Sequence, residues 1–548
     1  MKRKRLSMSF ALALALLLAL PACQAGGGST PAPTSNPGSA STSSPASQVA
    51  APEEKPVVDV SIFATNVMDI ETAFGREILD YWGEQAGVSI KIEQPPSDGY
   101  QQKLQLLLAS GDALPDLIRM TEGPSSTIYQ QMVEEEYIIP MDDYLHLMPD
   151  VLNCIPERTI DAFRIDGKLY EIPLNQGENF GGGTYFRYDW LQSLGYDFPI
   201  DKTQFSIEEF LQICRDFTTK DPDGNGAADT YGFVMPNTAG WMGVIPDILL
   251  NATGSGRYWQ EDANGNLTDS ILTTDWDKTK EAVKLYKSMF EEGLVDPEVF
   301  LLGGEQVRDK LYRGVVGGVH HFGSVGSGAG FIRGIRQTAP EAILIWCNKL
   351  TGPNATETRY STGLKSSGWV ISSDSKHPDR VAETLNYICT DEGLNLAYLG
   401  IPGVHYESIG SDLVVTRTEE QQKVFDEFQR SRPWQWGFRG EATPAVDRAN
   451  QIKDNNGLGE AVGVENYGEV LYDAYDLQIS ATIDLEAGFA PAKNDALINL
   501  AEEWKTALQK FLIGDADEAA LDAMREKYMN GGYSDYIDQV NSIYQGRK

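Results

Sequence analysis

The strongest constraint on the fold is an alternation of strand and helix patterns over residues 57–120. "VVDVSIFAT" (57–65) is rich in β-branched residues and "VSIKIEQPP" (88–96) alternates apolar with polar positions, so both predict β-strands. The segments between strands carry apolar residues at helical spacing, and "LPDLIRM" (114–120) predicts a buried third strand. This β-α-β-α-β order predicts an α/β fold with a parallel sheet and helices on its faces.

The predicted sheet also indicates where a ligand would bind. In open α/β sheets, ligands bind beyond the carboxyl ends of the strands. The segments "TNVMDI" and "TEGPSS" follow the first and third predicted strands, and they contain Asp69 and Glu122. Both residues are therefore candidate ligand-binding residues, although helix capping or simple solvation would also account for them.

The N-terminus predicts export and a lipid anchor. Basic residues at positions 2–5 precede an uninterrupted apolar run at 10–20, which is shorter than the roughly 20 residues of a transmembrane helix. This pattern predicts a signal peptide over residues 1–22. The run ends in "LPAC", which resembles a bacterial lipobox, so we expect Cys23 to become the acylated N-terminus, with palmitate as a typical acyl group. Ordinary secretion with an incidental cysteine is the alternative.

Composition separates a tether from a folded body. Most of residues 23–56 are Gly, Ser, Thr, Ala or Pro, which cannot bury enough apolar surface to fold, so this stretch predicts a disordered tether behind Cys23. The net charge of −34 at pH 7 argues against a nucleic-acid partner, which is bound mainly through Lys and Arg. The remaining length exceeds what one core usually supports and predicts two lobes.

Local signals predict two further elements. Asp166–Gly167 lies between two short extended stretches and predicts a β-hairpin. Ser206 with Glu209 three residues later predicts a capping box at the start of a helix over 206–217.

That helix leads into "DPDGNGAADTYG" (221–232), which has the spacing of a calcium-binding loop with oxygens at positions 1, 3, 5, 7 and 9. These positions are filled by Asp221, Asp223, Asn225, the carbonyl of Ala227, and Asp229. The twelfth position is Gly232, so the bidentate Glu of an EF-hand is absent. Because "YGFVM" after the loop predicts a strand, we expect a structural Ca²⁺ rather than a sensor; an Asx-rich turn without metal is the alternative.

The cysteines leave their pairing open. Beyond Cys23 the chain contains Cys154, Cys214, Cys347 and Cys389, without C-x-x-C spacing or paired histidines, so a zinc site is not indicated. An exported protein permits disulfides, but the apolar surroundings suit buried thiols equally well.

Seven phrases, in order along the folded body, resemble the family 1 extracellular solute-binding proteins of ABC importers, and within them the large oligosaccharide-binding lipoproteins of the LplA and LipO type. The phrases are "LPDLIRM", "DGKLYEIPLNQ", "TYFRYDWLQSLGYD", "DPDGNGAADTYGF", "LKSSGWVISSDSKHPDRVAETLNYI", "YLGIPGVHYE" and "YMNGGYSDYIDQVNSIYQ".

The resemblance implies a type II periplasmic-binding-protein-like fold, in which two lobes joined by crossing strands hold a ligand in the cleft between them. The first lobe would comprise 57–174 with 365–400, and the second 175–364 with 401–548. It further implies a monomer on the extracellular face of the cytoplasmic membrane, typical of a Gram-positive surface, which captures an oligosaccharide and delivers it to the transmembrane subunits of an ABC permease.

A sugar cleft needs aromatic faces and planar hydrogen-bonding side chains, and several residues in the chain offer them. Glu178 and Asn179 follow the first implied crossing, and His321 follows a strand after which family members often place a binding aromatic. The tryptophan candidates are Trp241, Trp369, Trp434 and Trp436. For each tryptophan, a role in core packing is the alternative. His320 and His321 are adjacent and would face opposite ways on a strand, which argues against a histidine metal centre.

Two other functions remain open. A secreted, calcium-dependent polysaccharide-cleaving enzyme would also combine acids, aromatics and calcium, although no nucleophile elbow or H-E-x-x-H motif is present. A binding protein for a peptide or another polar solute would use the same cleft. The sequence does not identify the sugar or the permease.

Overall fold

The computed structural model describes residues 55–65, 70, 72–96, 99–121, 123–124, 126–155, 157–173, 182–255, 259–322, 325–355, 368–430, 445–479 and 494–547. The signal peptide, Cys23 and the tether therefore lie outside the described residues. None of the helices in these ranges combines the length and apolarity needed to cross a bilayer.

Strands and helices are interleaved along the chain, and each kind is numbered in chain order. The strands are β1 Val58–Phe63, β2 Val88–Glu93, β3 Leu117–Met120, β4 Arg164–Ile165, β5 Lys168–Leu169, β6 Glu171–Pro173, β7 Gly182–Arg187, β8 Gln204–Ser206, β9 Trp259–Glu261, β10 Leu267–Asp269, β11 Gly318–Phe322, β12 Leu344–Cys347, β13 Lys349–Thr351, β14 Gly368–Ile371, β15 Ser408–Ile409 and β16 Val415–Thr416. The helices are α1 Ala73–Ala86, α2 Tyr100–Ser110, α3 Thr127–Glu134, α4 Pro149–Cys154, α5 Glu157–Ala162, α6 Tyr188–Ser193, α7 Ile207–Thr219, α8 Asp247–Thr253, α9 Trp276–Glu291, α10 Gly304–Tyr312, α11 Val325–Ile335, α12 Pro378–Ile388, α13 Asp391–Leu399, α14 Glu419–Arg430, α15 Ala445–Glu460, α16 Tyr467–Ile479, α17 Asp495–Leu512, α18 Glu518–Tyr528 and α19 Ser534–Arg547.

The predicted β-α-β-α-β unit is present. Strands β1, β2 and β3 are parallel and belong to a five-stranded sheet of order β2-β1-β3-β14-β6, in which β14 runs antiparallel to both neighbours. Alternate residues face opposite sides of a strand, so the sheet has an apolar cluster on each face. Ile62 and Ile371 point into one cluster, and Phe63 and Val370 point into the other. Together these two clusters form the first core.

A second core surrounds a three-stranded antiparallel sheet of order β11-β7-β12. It gathers residues from Tyr185 to Leu350 and from Tyr467 to Val540. The two cores draw on interleaved stretches of the chain, so each lobe is built from discontinuous segments. The molecule therefore has the α/β, two-lobe architecture expected from the sequence.

One predicted lobe boundary differs from the packing. The family resemblance predicts that residues 401–548 belong to the second lobe, but Ile401, Tyr406 and Val415 are buried in the first core. The cause is a turn after α13, in which the Ile401 N–H donates to Nδ1 of His405 (2.9 Å), followed by the β15–β16 hairpin. The chain thus stays with the first lobe well beyond Gly400.

The predicted hairpin and the predicted capping box are both confirmed. β4 and β5 pair as an antiparallel hairpin, and Asp166 and Gly167 both have positive φ (48° and 78°), as a tight Asp-Gly turn requires. Helix α7 begins with the capping box, in which Ser206 Oγ accepts from the Glu209 N–H (3.0 Å) and the Glu209 carboxylate accepts from the Ser206 N–H (2.7 Å).

Candidate functional site

The predicted calcium loop follows α7 directly and is organised by Asp221. This residue has φ +49°, and its two carboxylate oxygens accept from the backbone N–H groups of Asn225 (3.1 Å) and Gly226 (2.9 Å). These two hydrogen bonds fold the loop around the carboxylate of Asp221, the first of the predicted ligands.

Two further carboxylates converge on the side chain of Asn225. Its Nδ2 donates to Asp223 Oδ2 (2.9 Å) and to Asp229 Oδ1 (3.2 Å). Partial burial, together with the neighbouring Asp229 and Asp221 carboxylates, raises the pKa of Asp223 above its ordinary value. A cation among these oxygens would relieve the repulsion of their like charges.

The donor set therefore fits an oxygen-preferring cation such as Ca²⁺. Among the residues that the structure describes, however, no three His, Cys, Asp or Glu side chains have the arrangement of a formed metal site. In this loop the Asn225 amide stands between the carboxylates, and a half-turn of that amide would present its oxygen in place of the NH₂ group.

The twelfth loop position has a structural explanation. A Cβ built on Gly232 would lie 2.3 Å from the carbonyl oxygen of Cys214 in α7, so no side chain fits there. The Gly232 N–H donates to Thr218 Oγ1 (3.0 Å), and Thr230 Oγ1 donates to the Phe217 carbonyl (2.6 Å). The loop exit is therefore held against the end of the helix that precedes it, where the bidentate Glu of an EF-hand has no space.

Past Gly232 the chain forms isolated parallel bridges, Phe233 with Val295 and Val234 with Val319. The predicted strand after the loop is thus present as single bridges rather than a full strand. The next helix along the chain, α8, begins only at Asp247, so the loop is not flanked by two helices as in an EF-hand.

One edge of the first-lobe sheet collects several strand ends. β1 ends at Phe63, β3 at Met120 and β6 at Pro173, while β14 begins at Gly368, which pairs with both Met120 and Pro173. Because β1, β3 and β6 run in the same direction, their carboxyl ends point toward this edge. A ligand site of an open α/β sheet is expected here.

Several predicted ligand-binding residues follow those strand ends in the sequence but lie outside the described residues. They are Asp69, Glu122, Glu178 and Asn179, and the same holds for Trp434 and Trp436. Their assignment to the ligand site stays a prediction.

Three other candidates are buried and offer no face to a ligand in this structure. Trp369 is fully buried in the middle of the first core. Trp241 is 4% exposed and packs edge-on against Trp504, with ring centroids 6.1 Å apart. His321 is fully buried, with its Nε2 3.3 Å from the Gly304 carbonyl oxygen. The large apolar surface of each ring is used for packing, so these residues support the lobes rather than line the cleft.

The adjacent histidines occupy opposite faces of β11. His320 Nδ1 lies 2.9 Å from Thr184 Oγ1, while the His321 ring packs against Phe331. Burial lowers the pKa of His320 to about 3 and that of His321 to about 4, so both imidazoles are neutral at physiological pH. They meet different partners and form no shared cluster.

Glu171 was not predicted to be a site residue, although its environment is unusual. It begins β6, two residues before the sheet edge described above, and is fully buried. Neither carboxylate oxygen has a hydrogen-bond partner within the described ranges, and burial raises its pKa well above the ordinary value. A glutamate in the apolar phrase "LYEIP" was the available signal, but its burial follows only from sheet packing.

An aromatic group in the second lobe was also missed. Trp346 of β12 packs against Tyr185 (ring centroids 5.0 Å) and against Tyr475 near the end of α16 (6.4 Å). Tyr475 is half-buried. This makes Tyr475 an additional candidate for stacking on an apolar ligand face.

Two lobes with separate cores, crossed repeatedly by one chain, and a sheet edge where strand ends meet define a two-lobe binding protein. The chain belongs to the bacterial extracellular solute-binding protein family, whose model matches residues 65–394.

Two relatives from Bacillus subtilis (strain 168) match most of the chain. Lipoprotein LipO is 25% identical over 478 residues, covering 84% of this chain and 87% of LipO. The polygalacturonan/rhamnogalacturonan-binding protein YtcQ is 23% identical over 476 residues, covering 84% of this chain and 86% of YtcQ.

Solved structures share the fold. The Streptococcus pneumoniae ABC-transporter substrate-binding protein FusA in complex with kestose superposes with a TM-score of 0.61 at 18% identity, covering 89% of this chain and all of FusA. An EF-hand mutant of FusA in complex with fructo-nystose superposes with a TM-score of 0.59 at 17% identity, covering 89% of this chain and all of that one.

Proposed function

We propose that this protein captures an oligosaccharide between its two lobes outside the cell and delivers it to an ABC permease, without chemically altering it. The observation that carries the proposal is the match to YtcQ over 84% of the chain, since YtcQ is named for binding polysaccharides. The sequence match to FusA, 30% identical over 237 residues and named a fructooligosaccharide ABC transporter substrate-binding protein, supports the same class of ligand.

The net charge of the chain narrows the charge class of oligosaccharide that we expect as ligand. A net charge of −34 at pH 7 disfavours the capture of a polyanion. A neutral oligosaccharide is therefore favoured over a uronic-acid polymer, even though YtcQ is named for the latter.

A thermal-shift series tests the ligand class directly, because a ligand that binds only the folded state raises Tm. Kestose, trigalacturonate and a neutral tripeptide would be compared at equal concentrations. We expect the neutral oligosaccharide to raise Tm; at about 100 times its Kd it would stabilise the protein by about 2.7 kcal/mol. A rise with the tripeptide alone would instead indicate a peptide-binding protein.

The rival function is an enzyme that cleaves the same sugars. Incubation of the protein with each oligosaccharide, followed by chromatography, separates the two functions. A binding protein returns the oligosaccharide unchanged, whereas shorter products would establish cleavage and contradict delivery of the intact ligand.

Matched tryptophan variants test the ligand site. Trp436→Ala should reduce the ligand-induced rise in Tm while leaving the Tm of the unliganded protein nearly unchanged. Trp369→Ala should lower the unliganded Tm instead, because removing a buried tryptophan costs about 3–5 kcal/mol. Equal effects of both substitutions on the unliganded protein would assign Trp436 to packing.

The loop at 221–232 is proposed to hold a structural Ca²⁺. Asp221, Asp223, Asn225 and Asp229 would supply side-chain oxygens and Ala227 a carbonyl, while the missing twelfth ligand would be replaced by water or another oxygen. The bound ion would neutralise the converging carboxylates and keep the exit of α7 in place.

Calcium titration and chelation provide the test. The wild-type protein should bind Ca²⁺ calorimetrically and lose several degrees of Tm in excess chelator, and Asp223→Ala should abolish both effects. Lys453→Ala, on the exposed face of α15, serves as the control and should leave both unchanged. A wild-type Tm that does not respond to calcium would contradict the structural role.

Anchoring is proposed through acylated Cys23, which would hold a monomer beside the permease on the outer face of the cytoplasmic membrane, as in a Gram-positive bacterium. Cys23→Ser should move the protein from the membrane fraction into the medium. Retention in the membrane would point to another anchor.

A further inference from the structure

Two helices from distant parts of the chain lie side by side in the first lobe. The backbone N–H groups of Asp150 and Val151, in α4, donate to Oδ1 of Asn386 in α12 (2.8 and 3.3 Å), and Asn386 Nδ2 donates to Asp150 Oδ2 (2.7 Å). These bonds fix the register between α4 and α12.

That register brings two cysteines together. Cys154 ends α4, one turn beyond Asp150, and Cys389 follows the last residue of α12, about one turn beyond Asn386. In the structure both side chains are thiols rather than a disulfide. Burial, followed by the effect of the nearby Cys154 thiol, raises the pKa of Cys389. Both side chains belong to the first core, Cys389 buried and Cys154 half-buried at its margin.

We propose that Cys154 and Cys389 form a disulfide bond in the exported protein. The proposal rests on the extracellular location of the family, because disulfides persist in oxidising compartments. The cross-link would join the two chain segments of the first lobe that lie before and after the second-lobe insertion.

The bond would form by thiol–disulfide exchange with an external disulfide oxidant. Cys154 loses its proton and attacks the oxidant, forming a mixed disulfide and releasing one oxidant thiolate. The Cys389 thiolate then attacks the Cys154 sulfur and releases the second oxidant thiolate. The two cysteines lose two protons and two electrons, and the oxidant is reduced to two thiols.

Burial determines when this exchange occurs. A thiol with a raised pKa is a weak nucleophile, so Cys389 reacts slowly once it is enclosed in the core. The exchange therefore belongs to folding, before the first core closes. In the folded protein the same burial would protect the bond from small reductants.

The other two cysteines provide an internal control. Cys214 and Cys347 are fully buried in the second core, and Cys347 Sγ contacts the Lys349 carbonyl oxygen (3.8 Å). Burial raises the pKa of both thiols. We expect them to stay reduced in the same molecules that carry the disulfide.

Differential alkylation of the full-length protein, harvested from the surface of cells that export it, tests the proposal. Thiols are blocked with N-ethylmaleimide in denaturant without reductant, and the protein is then reduced and labelled with iodoacetamide before mass spectrometry. Cys154 and Cys389 should carry the second label, and Cys214 and Cys347 the first. An unreduced digest should contain the peptide pair that joins Cys154 to Cys389.

Stability gives an independent readout. Reduction of the unfolded protein, followed by refolding in reductant, should lower the wild-type Tm by several degrees, because the cross-link closes a long loop in the unfolded chain. The Cys154→Ser, Cys389→Ser double variant should be insensitive to reductant. N-ethylmaleimide on both Cys154 and Cys389 of the exported wild-type protein, or a small thiol attached to Cys154 alone, would overturn the proposal.

Discussion

The side chain of Asn450 binds the backbone on both sides of Val414. The Val415 N–H donates to Asn450 Oδ1 (3.0 Å), and Asn450 Nδ2 donates to the Leu413 carbonyl (3.1 Å). Asn450 lies in α15, whose residue Val446 packs against the first core, while Ile452 and Leu458 pack against the second. Helix α15 therefore contacts both cores, and the hydrogen bonds of Asn450 hold the first half of the helix against the β15–β16 hairpin of the first lobe.

Asn450→Ala should destabilise the protein by about 1–2 kcal/mol, because the buried N–H of Val415 loses its acceptor. Thermal unfolding measures the effect. Lys453→Ala, an exposed change one turn along the same helix, is the matched control and should alter stability by less than about 0.5 kcal/mol. Equal effects of the two changes would mean that the contact with the hairpin contributes nothing.

Asn386→Ala should lower stability by about 1–2 kcal/mol, because Asn386 Oδ1 satisfies the first N–H groups of α4 as a capping side chain would. The comparison is Gln131→Ala, whose exposed amide donates to Glu135 in the next turn of the chain. Unfolding followed by circular dichroism should separate the two variants. An unchanged midpoint for Asn386→Ala would show that water replaces the cap.

Gly232→Glu would restore the twelfth-position carboxylate of an EF-hand, yet it should not tighten calcium binding. The new Cβ would lie 2.3 Å from the backbone of Cys214, so we expect overpacking to lower the free energy of unfolding by about 1–3 kcal/mol. Calorimetry with Ca²⁺ and thermal unfolding measure both effects. Gly457→Ala, which meets nothing within 4 Å inside α15, should instead be neutral or stabilising. Tighter calcium binding by Gly232→Glu would refute the packing argument.

Glu171→Gln should stabilise the protein increasingly as pH rises. Burial raises the pKa of Glu171 in the folded state above the ordinary value of 4.5, so the folded protein binds a proton that the unfolded chain releases. Wild-type stability therefore falls between pH 4.5 and the raised folded pKa, by about 1.4 kcal/mol for each unit of difference. Glutamine is neutral throughout, so the Tm difference between variant and wild type should widen over this range.

Glu298 provides a control of opposite sign. Its salt bridge with Lys310 (2.7 Å) lowers its pKa, so its contribution is present above the ordinary carboxyl pKa and lost on acidification. The small advantage of wild type over Glu298→Gln should accordingly vanish at low pH. A Tm difference for Glu171→Gln that stays constant from pH 4 to pH 8 would contradict the buried, uncharged state of Glu171.

Short-range patterns in the sequence were sufficient for the local elements. The alternation of strands and helices, the Asp-Gly hairpin and the capping box of α7 each depend on residues a few positions apart, so propensity and turn chemistry predict them. The loop at 221–232 belongs to the same class, because its oxygens are spaced along one continuous segment. Recognition of the family likewise rested on phrases read in order.

Tertiary structure alone decided which of these residues face a ligand and which support a core. Trp241, His321 and Trp369 have the chemistry of sugar-binding residues, but packing buries them. The apolar face of an aromatic ring suits a protein core as well as a ligand, so residue type alone does not separate the two roles. Residues 401–415 follow a glycine that resembled a lobe boundary, yet their apolar side chains complete the first core. The pairing of Asp150 with Asn386 spans 236 residues of sequence, and no local periodicity encodes contacts at that separation. Local elements can therefore be predicted from the sequence. Burial and contacts between distant segments are established only when the interleaved chain segments fold into two lobes.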